Sequence, residues 1–325
     1  MFEKIAGLYS WSSMLILYLI IIAPTALAAQ ESHKNILILL SDNKDVYLDV
    51  ATTITNSTIK YCRNHNLSCQ SSNYDIVQVS SYNHDQHNNY QLIVTLGIHA
   101  AIFSKNNITG ADIISALIPK NNPLIEEITQ NNSKQIFLYL DQPLSHNLIL
   151  IKVLSNRLQN IGILVDTNDK GTVNILSNAA KDLDLTLFFE SIESSEYVGT
   201  ALNNLLEKID IFLATPDTNI HNKATVSNIL LSNYRKRIPL IGFSSAYVKA
   251  GALAAIYSSP ENIAHQVRDG IVTYFSDKPI QNKQQMSKYF SVLFNTDVAR
   301  SLGFPIKSET KLKELMMDYI HVDTE

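Results

Sequence analysis

The sequence predicts an α/β fold with two parallel β-sheets, each covered by helices on both faces. Short apolar runs recur along the chain, bounded by turn residues and separated by segments with helical spacing. Continuous apolar runs of five or six residues are typical of parallel strands that are buried on both faces, and alternation of strand and helix favours parallel sheets. Eleven such runs would make one sheet unusually wide, so we expect two sheets and therefore two lobes.

The predicted elements follow in chain order. Strands are predicted at residues 36–40, 74–79, 92–96, 113–118, 136–140, 161–165, 185–190, 209–214, 238–243, 252–257 and 289–294. Residues 144–154 are predicted to form a helix, which places the break between the lobes near residues 141–143. Pro260 indicates a further helix start, because proline lacks the N–H that a first turn leaves unpaired. The C-terminal residues 307–325 are predicted to form an amphipathic helix, and their pattern does not assign it to a lobe.

Composition is that of an ordinary globular protein. The 325 residues are 46% apolar and 17% charged, which allows about two domains and excludes large-scale disorder. The formal net charge is −4, with 26 basic and 30 acidic residues. A nucleic-acid-binding protein would show a basic patch or stripe, and this sequence has none. We therefore expect no nucleic-acid partner.

The first 28 residues have the pattern of a cleaved signal peptide. Lys4 lies near the start, an apolar segment follows at residues 14–22, and Ala26 and Ala28 have the small-x-small spacing that signal peptidase accepts. The alternative is an uncleaved anchor, but the apolar run is shorter than the ~20 residues that a spanning helix needs. No cysteine lies near the cleavage site for a lipid anchor. We expect a soluble protein of the periplasm.

The two cysteines, Cys62 and Cys69, are separated by six residues. In an oxidising compartment they could form a disulfide at the end of the first helix, or they could remain as two thiols, one of them buried. His65 lies between them, but two thiols and one imidazole without a fourth ligand are weak support for zinc. We expect no metal site.

Enzymatic activity and cofactor binding are not expected. Residues 242–246 nearly match the G-x-S-x-G turn of hydrolases, but Ala246 stands where the second glycine belongs. The phosphate-binding loop, the H-E-x-x-H zinc helix and the dinucleotide fingerprint are all absent from the sequence.

Three segments carry a resemblance to a known family. They are RIPLIGFSSAYVKAGALAAIYSSPENIAHQV at 237–267, YFSVLFNTDVARSLGF at 289–304 and YLDQPLSHNLILIKVL at 139–154. Together they resemble the ABC-transporter substrate-binding family of the type I periplasmic-binding-protein superfamily. The resemblance implies two Rossmann-like lobes joined by a hinge that the chain crosses three times. It places residues 29–140 and 251–280 in the first lobe, and residues 141–250 and 281–325 in the second. It also implies a monomer that closes on a small solute, which a membrane permease takes up.

Candidate ligand contacts follow from the strand ends. In open α/β sheets the carboxyl ends of the strands and the following helix N-termini meet at one crevice. The residues at these positions are Ser41, Asp42, Gly97, His99, Asp141, Gln142, Asp166, Thr215, Asp217, Ser244, Ser245 and Tyr247.

Several of these positions have a second interpretation. Ser41, Asp42 and Thr215 could instead cap helices, and Tyr247 could be a buried structural residue rather than a flat contact for the ligand. In the family an acidic or amide residue at the position of Asp217 faces the cleft, where a carboxylate can pair with a ligand amine. The family usually has a glycine-threonine pair where this chain has Gly97 and Ile98, so one expected hydroxyl is missing.

The resulting hypothesis is a periplasmic binding protein for a small organic solute, with an amino-acid-like molecule as one candidate. Two alternatives use the same fold: a sensor that signals to a membrane partner, and an envelope protein whose cleft has decayed into a structural interface. Sequence alone does not separate them, because fold does not determine function.

Overall fold

The computed structural model describes residues 35–87, 89–129, 135–276 and 283–322. The strands are β1 Asn35–Leu40, β2 Asn73–Gln78, β3 Leu92–Leu96, β4 Asp112–Ile118, β5 Gln135–Tyr139, β6 Asn160–Asp166, β7 Thr186–Ile192, β8 Ile211–Leu213, β9 Leu240–Gly242, β10 Ala254–Tyr257, β11 Gln284–Gln285 and β12 Ser291–Phe294. The helices are α1 Asp45–Asn64, α2 Ile98–Asn107, α3 Ile125–Thr129, α4 Leu144–Leu154, α5 Lys170–Asp182, α6 Val198–Leu206, α7 Val226–Arg235, α8 Ser245–Lys249, α9 Pro260–Phe275, α10 Thr296–Leu302 and α11 Glu309–Val322. The predicted signal peptide, residues 1–28, lies outside these ranges. Within them, no helix is both long and apolar enough to cross a bilayer.

The strands form two six-stranded sheets, which confirms the predicted pair of α/β lobes. The first sheet has the order β11-β5-β4-β3-β1-β2, and the second has the order β12-β10-β9-β8-β6-β7. All neighbouring strands are parallel except β10 and β12, which pair antiparallel. The antiparallel pair lies at an edge of the second sheet, where the last strand enters from the other lobe rather than through a crossover helix.

The apolar runs are continuous because helices cover both faces of each sheet. In β1, Ile36 and Ile38 belong to the core beneath α1 and α9, whereas Leu37 and Leu39 belong to the core beneath α2. All four side chains are fully buried. Burying such a side chain contributes about 1.5–3 kcal/mol, so an unpaired polar substitution on either face of this strand would be destabilising.

Helix α4 is the central helix of the second lobe. Its residues Leu148, Leu150 and Ile151 are fully buried, and the helix contacts α5 and α11. The C-terminal helix α11 joins the same core through Leu312 and Met316. It therefore belongs to the second lobe.

The lobe boundaries differ from the expectation at two strands. Residues 251–280 were expected in the first lobe, but β10 pairs with β9 and β12 in the second sheet. Only the following helix, α9, packs on the first lobe, against α1. Residues 281–325 were expected in the second lobe, but β11 pairs with β5 in the first sheet. For β10 the reason is that an apolar run indicates burial without indicating which sheet buries it.

The chain passes between the two sheets three times, as the resemblance implies. The passes are residues 140–143 between β5 and α4, residues 258–259 between β10 and α9, and residues 286–290 between β11 and β12. Here we call these three segments the crossing segments. The first lies at the predicted break between the lobes.

Cys62 and Cys69 form a disulfide, with 5.6 Å between their Cα atoms. It joins the last turn of α1 to the short 3₁₀ turn Ser68–Ser71 that leads into β2. Both side chains are fully buried. The open question from the sequence is therefore answered in favour of the disulfide.

Candidate functional site

A cavity of about 440 Å³ lies where the second sheet meets the crossing segments. Its wall is formed by residues that follow β8, β9 and β10, by the first two crossing segments, and by the first turns of α4. From the first lobe, Pro119 at the end of β4 contributes. Five of the predicted contact residues line it: Asp141, Gln142, Asp217, Ser244 and Ser245. The expectation that strand ends meet at one crevice therefore identifies the part of the cavity wall that the second lobe and the crossing segments provide.

Gln142 ties the three crossing segments together. Its Nε2 donates to Ser258 Oγ at 2.8 Å and to the Tyr289 carbonyl at 2.9 Å. Ser258 Oγ in turn donates to the Leu140 carbonyl. Because a backbone carbonyl only accepts, these bonds fix which end of the Gln142 amide is nitrogen. Its Oε1 is buried and has no hydrogen-bond partner within the described ranges.

Two partly desolvated carboxylates also line the cavity. Burial raises the pKa of Asp141, although a hydrogen bond from Lys120 N at 2.6 Å opposes the shift. Burial likewise raises the pKa of Asp217, against a hydrogen bond from Asn219 N at 2.8 Å. Loss of hydration destabilises the charged form in both cases. Both carboxylates would therefore be stabilised by a cationic group in the cavity.

Ser244 and Tyr247 organise the turn after β9. Ser244 is the N-cap of α8, and its Oγ accepts from Tyr247 N at 3.4 Å. A Cβ on Gly242 would lie 2.4 Å from Tyr247 Cβ, so only glycine allows the tyrosine to pack over the end of β9. Tyr247 is buried and lies outside the cavity wall. The position of Tyr247 therefore agrees better with a buried structural residue than with a residue that contacts the ligand.

His221 lines the cavity and was not among the predicted contact residues. It is 8% exposed, and its Nδ1 shares a 2.6 Å hydrogen bond with Tyr247 Oη. Its Nε2 is buried and has no partner among the residues that the structure describes. Burial lowers the pKa of His221 to about 3, so the ring is neutral at physiological pH. Only its position, four residues after Asp217 in the loop that follows β8, could have indicated it.

The first-lobe candidates form a separate group at the carboxyl ends of β1 and β3. Ser41, Asp42, Gly97 and His99 do not line the cavity. Ser41 Oγ accepts from Ala100 N at 2.9 Å, in the first turn of α2, so Ser41 has the capping role. Asp42 does not cap α1, whose N-cap is Lys44. It pairs with Lys44 at 2.9 Å, which lowers the pKa of the Asp42 carboxyl.

Asp166 and Thr215 do not line the cavity. Hydrogen bonds from Asn168 and Asn219 lower the pKa of Asp166, and the 3.2 Å bond from Asn219 Nδ2 braces the loop that carries Asp217. Thr215 is buried, and its carbonyl accepts from Asp217 N at 2.8 Å. It does not cap α7, whose N-cap is Thr225.

No cluster of three or more His, Cys, Asp or Glu side chains within the described ranges could hold a metal ion. The cavity instead combines carboxylates, amides, hydroxyls and a neutral imidazole with the rings of Phe243 and Tyr257. Such a mixture of apolar surface and a few polar groups is typical of sites for small organic molecules.

Comparison with known proteins agrees with this description. The profile of the family described as ABC transporter substrate binding protein matches residues 52–313. A tyrosine-binding protein of Clostridioides difficile (strain R20291) is 23% identical over 187 residues, which are 56% of this chain and 52% of that protein. The chain therefore aligns with only about half the length of that relative.

Two solved structures share the fold. The ligand-free, open structure of a substrate-binding protein with adhesive properties from Clostridium difficile has a TM-score of 0.63 and 16% identity, covering 85% of this chain and 96% of that chain. An ABC domain from Streptococcus pneumonia in complex with L-Trp has a TM-score of 0.52 and 18% identity, covering 87% and 98%. The family consists of binding proteins rather than enzymes. The chain belongs to the ABC transporter substrate-binding protein family and has its type I periplasmic-binding-protein fold.

Proposed function

We propose that this protein captures a small, amino-acid-like solute in the cavity beside the hinge and presents it to an ABC-type permease. One observation carries the proposal. Gln142 Oε1, Asn147 Oδ1 and His221 Nε2 are buried without a partner in the described part of the chain, and all three residues line the same cavity. Leaving such an atom unpaired costs about 1–3 kcal/mol. A polar solute that bonds to them would offset this cost.

The charges of the wall favour a solute with an ammonium group. Asp141 and Asp217 are carboxylates whose hydration is already reduced, and Gln142 Oε1 is an additional acceptor. Phe243 and Tyr257 offer flat apolar surface to the rest of the molecule. The names of two similar proteins, a tyrosine-binding protein and a domain in complex with L-Trp, support an aromatic amino acid.

Closure of the hinge completes the site in this proposal. Ser41, Gly97 and His99 lie at strand ends of the first sheet, outside the cavity wall. A rotation about the crossing segments would bring them over the bound solute. A ligand favours the closed state only through contacts that the open state lacks, and these residues are the candidates for such contacts. The permease would then recognise the closed surface.

The proposed location is the periplasm, reached by cleavage of residues 1–28. Expression of the full chain with its own leader tests this directly. The intact mass of the exported protein should correspond to a start near residue 29. An exported protein that still contains residue 1 would contradict cleavage.

Calorimetric titration with the twenty L-amino acids tests the ligand class, using protein that begins at residue 29. We expect at least one aromatic amino acid to bind, and we expect Asp217→Asn to weaken that binding by roughly tenfold through loss of one charged hydrogen bond. Glu207→Gln, at an exposed position after α6, is the matched control and should bind as wild type does.

Small-angle scattering with and without the bound amino acid tests closure. It also gives the molecular mass in solution, which should be that of one chain if the protein is a monomer. The radius of gyration should decrease on binding. Absence of binding by the whole amino-acid panel would refute the proposed ligand class and favour a decayed cleft. Binding without any change in radius would refute closure alone.

A further inference from the structure

His221 lies in an aromatic corner of the cavity wall. Its ring lies 5.8 Å from that of Phe243, 6.4 Å from that of Phe212 and 5.6 Å from that of Tyr247, with edge-on geometry in all three cases. Burial among these rings lowers the pKa of His221 to about 3. A charged imidazolium is therefore strongly disfavoured in this corner, and the group that faces the cavity is a neutral imidazole.

The hydrogen bond to Tyr247 favours one of the two neutral tautomers of the His221 ring. A neutral imidazole has one donor nitrogen and one acceptor nitrogen, and the partner of one fixes the role of the other. Tyr247 is buried and its pKa is raised by burial, so its hydroxyl is protonated. It makes its one hydrogen bond in the described structure to His221 Nδ1, at 2.6 Å. Donation from this hydroxyl makes Nδ1 the acceptor and leaves the proton on Nε2.

We propose that His221, held by Tyr247, donates a neutral hydrogen bond from Nε2 to an uncharged oxygen on the side chain of the solute. This rests on the proposed function, since it takes the solute to be amino-acid-like. A carboxylate would be a poor occupant, because its burial among aromatic rings beside a neutral group would be costly. A hydroxyl, phenol or carbonyl oxygen fits the chemistry, and the ammonium group of the solute would face the carboxylates instead.

The proposal makes His221 a specificity-determining residue. A site that hydrogen-bonds a substrate hydroxyl discriminates against the analogue without it, because the buried polar group is then left unpaired. L-tyrosine and L-phenylalanine differ only by that hydroxyl. We expect wild type to bind L-tyrosine on the order of tenfold more tightly than L-phenylalanine.

Three variants separate recognition from folding, and circular dichroism checks the fold of each. His221→Phe keeps an aromatic ring in the corner and removes both nitrogens. The variant should therefore bind L-tyrosine and L-phenylalanine with about equal affinity. Tyr247→Phe keeps the packing but releases the ring of His221, so the preference should decrease without being lost. Tyr234→Phe, at a site that is 53% exposed, is the matched control. If His221 had a purely structural role, its replacement would weaken the binding of both amino acids equally. The ratio of the two affinities would then be unchanged.

Nitrogen-15 NMR of histidine-labelled protein tests the tautomer without any ligand. The resonances of His221, assigned by their absence in His221→Phe, should show a neutral ring protonated at Nε2. A proton on Nδ1, or an imidazolium at pH 7, would overturn the assignment of the donor.

The outcomes of the binding assay distinguish this proposal from the proposed function. If wild type binds amino acids but His221→Phe keeps the preference for L-tyrosine, or wild type shows none, the contact is refuted and the function stands. If wild type binds no amino acid, the ligand class fails and this contact fails with it.

Discussion

Replacing Gly97 with alanine tests how closely the first-lobe strand ends are packed. Gly97 precedes α2 with φ 92° and ψ 167°, a conformation that is essentially restricted to glycine. A Cβ there would lie 2.6 Å from Ser41 Oγ and 2.9 Å from Tyr47 Oη. Both contacts are too short for real atoms, so Ser41 and Tyr47 would have to move.

The expected cost has two parts. The unfavourable backbone conformation costs about 1–3 kcal/mol. Displacement of Ser41 breaks its hydrogen bond to Ala100 N in the first turn of α2, and loss of such a cap costs about 1 kcal/mol. We therefore expect Gly97→Ala to lower the free energy of unfolding by roughly 3 kcal/mol. At about 2–4 °C per kcal/mol for a chain of this size, Tm should fall by roughly 6–12 °C.

Gly110 provides the matched control. Its φ of 90° is nearly that of Gly97, but no atom lies within 4 Å of a Cβ built on it. Gly110→Ala therefore measures the cost of a positive φ without a steric contact. Urea unfolding followed by circular dichroism is the assay, because the one tryptophan of the sequence, Trp11, lies within the proposed signal peptide. Gly97→Ala should cost at least about 1 kcal/mol more than Gly110→Ala, and equal costs would refute the steric part of the reasoning.

Three further predictions concern stability. Replacing Cys62 and Cys69 together with alanine should lower the free energy of unfolding by about 2.5 kcal/mol, from the chain entropy of a loop with a separation of seven residues; reduction should destabilise wild type equally, and an unchanged midpoint in urea would contradict this. Ser115→Ala should cost about 2 kcal/mol, because the fully buried Thr95 hydroxyl loses its 2.7 Å partner; a loss below about 0.5 kcal/mol in the same assay would contradict that role. Because the pKa of His221 is lowered in the folded state to about 3 from 6.5, its stabilising contribution is complete above pH 6.5 and is lost as the pH falls towards 3. Wild type should therefore lose about 3 kcal/mol more than His221→Phe between pH 7 and pH 4, and parallel pH profiles would show that the histidine is not buried.

The positions of the strands could be predicted from the sequence, whereas their assignment to sheets could not. In central strands such as β1 and β3 the apolar run is continuous because burial on both faces requires apolar side chains at every position. The same property makes β10 compatible with either sheet, so its place in the second sheet was missed. The two-residue strand β11, Gln284–Gln285, has no apolar signal at all. It pairs through its backbone, which sequence patterns do not report.

In the candidate site, too, some residues could be predicted from the sequence and others could not. Asp217 and Ser244 could be located because they lie in the loops that follow β8 and β9, whose ends meet at one edge. His221 was missed because its position depends on how the loop after β8 folds. The His221 amide donates to the Asp217 carbonyl at 2.7 Å, which turns the loop back and brings the ring to Tyr247. Tyr247 was a candidate contact with a buried structural role as the alternative, and its hydroxyl bonds to His221, which lines the cavity.

Gln142 offers a physical link between binding and hinge motion. Its nitrogen bonds to Ser258 and Tyr289 on the other two crossing segments, while its oxygen is buried and has no partner within the described ranges. Hydrogen bonds to one amide polarise each other, so a bond to the oxygen strengthens those from the nitrogen. In the proposed mechanism a solute bound at Gln142 would therefore stabilise the hinge arrangement in which all three crossing segments share this amide. Gln142→Glu keeps an acceptor for the solute but removes the donor, so it should preserve binding better than it preserves the closure seen by scattering. Loss of both in equal measure would show that the amide does not couple them.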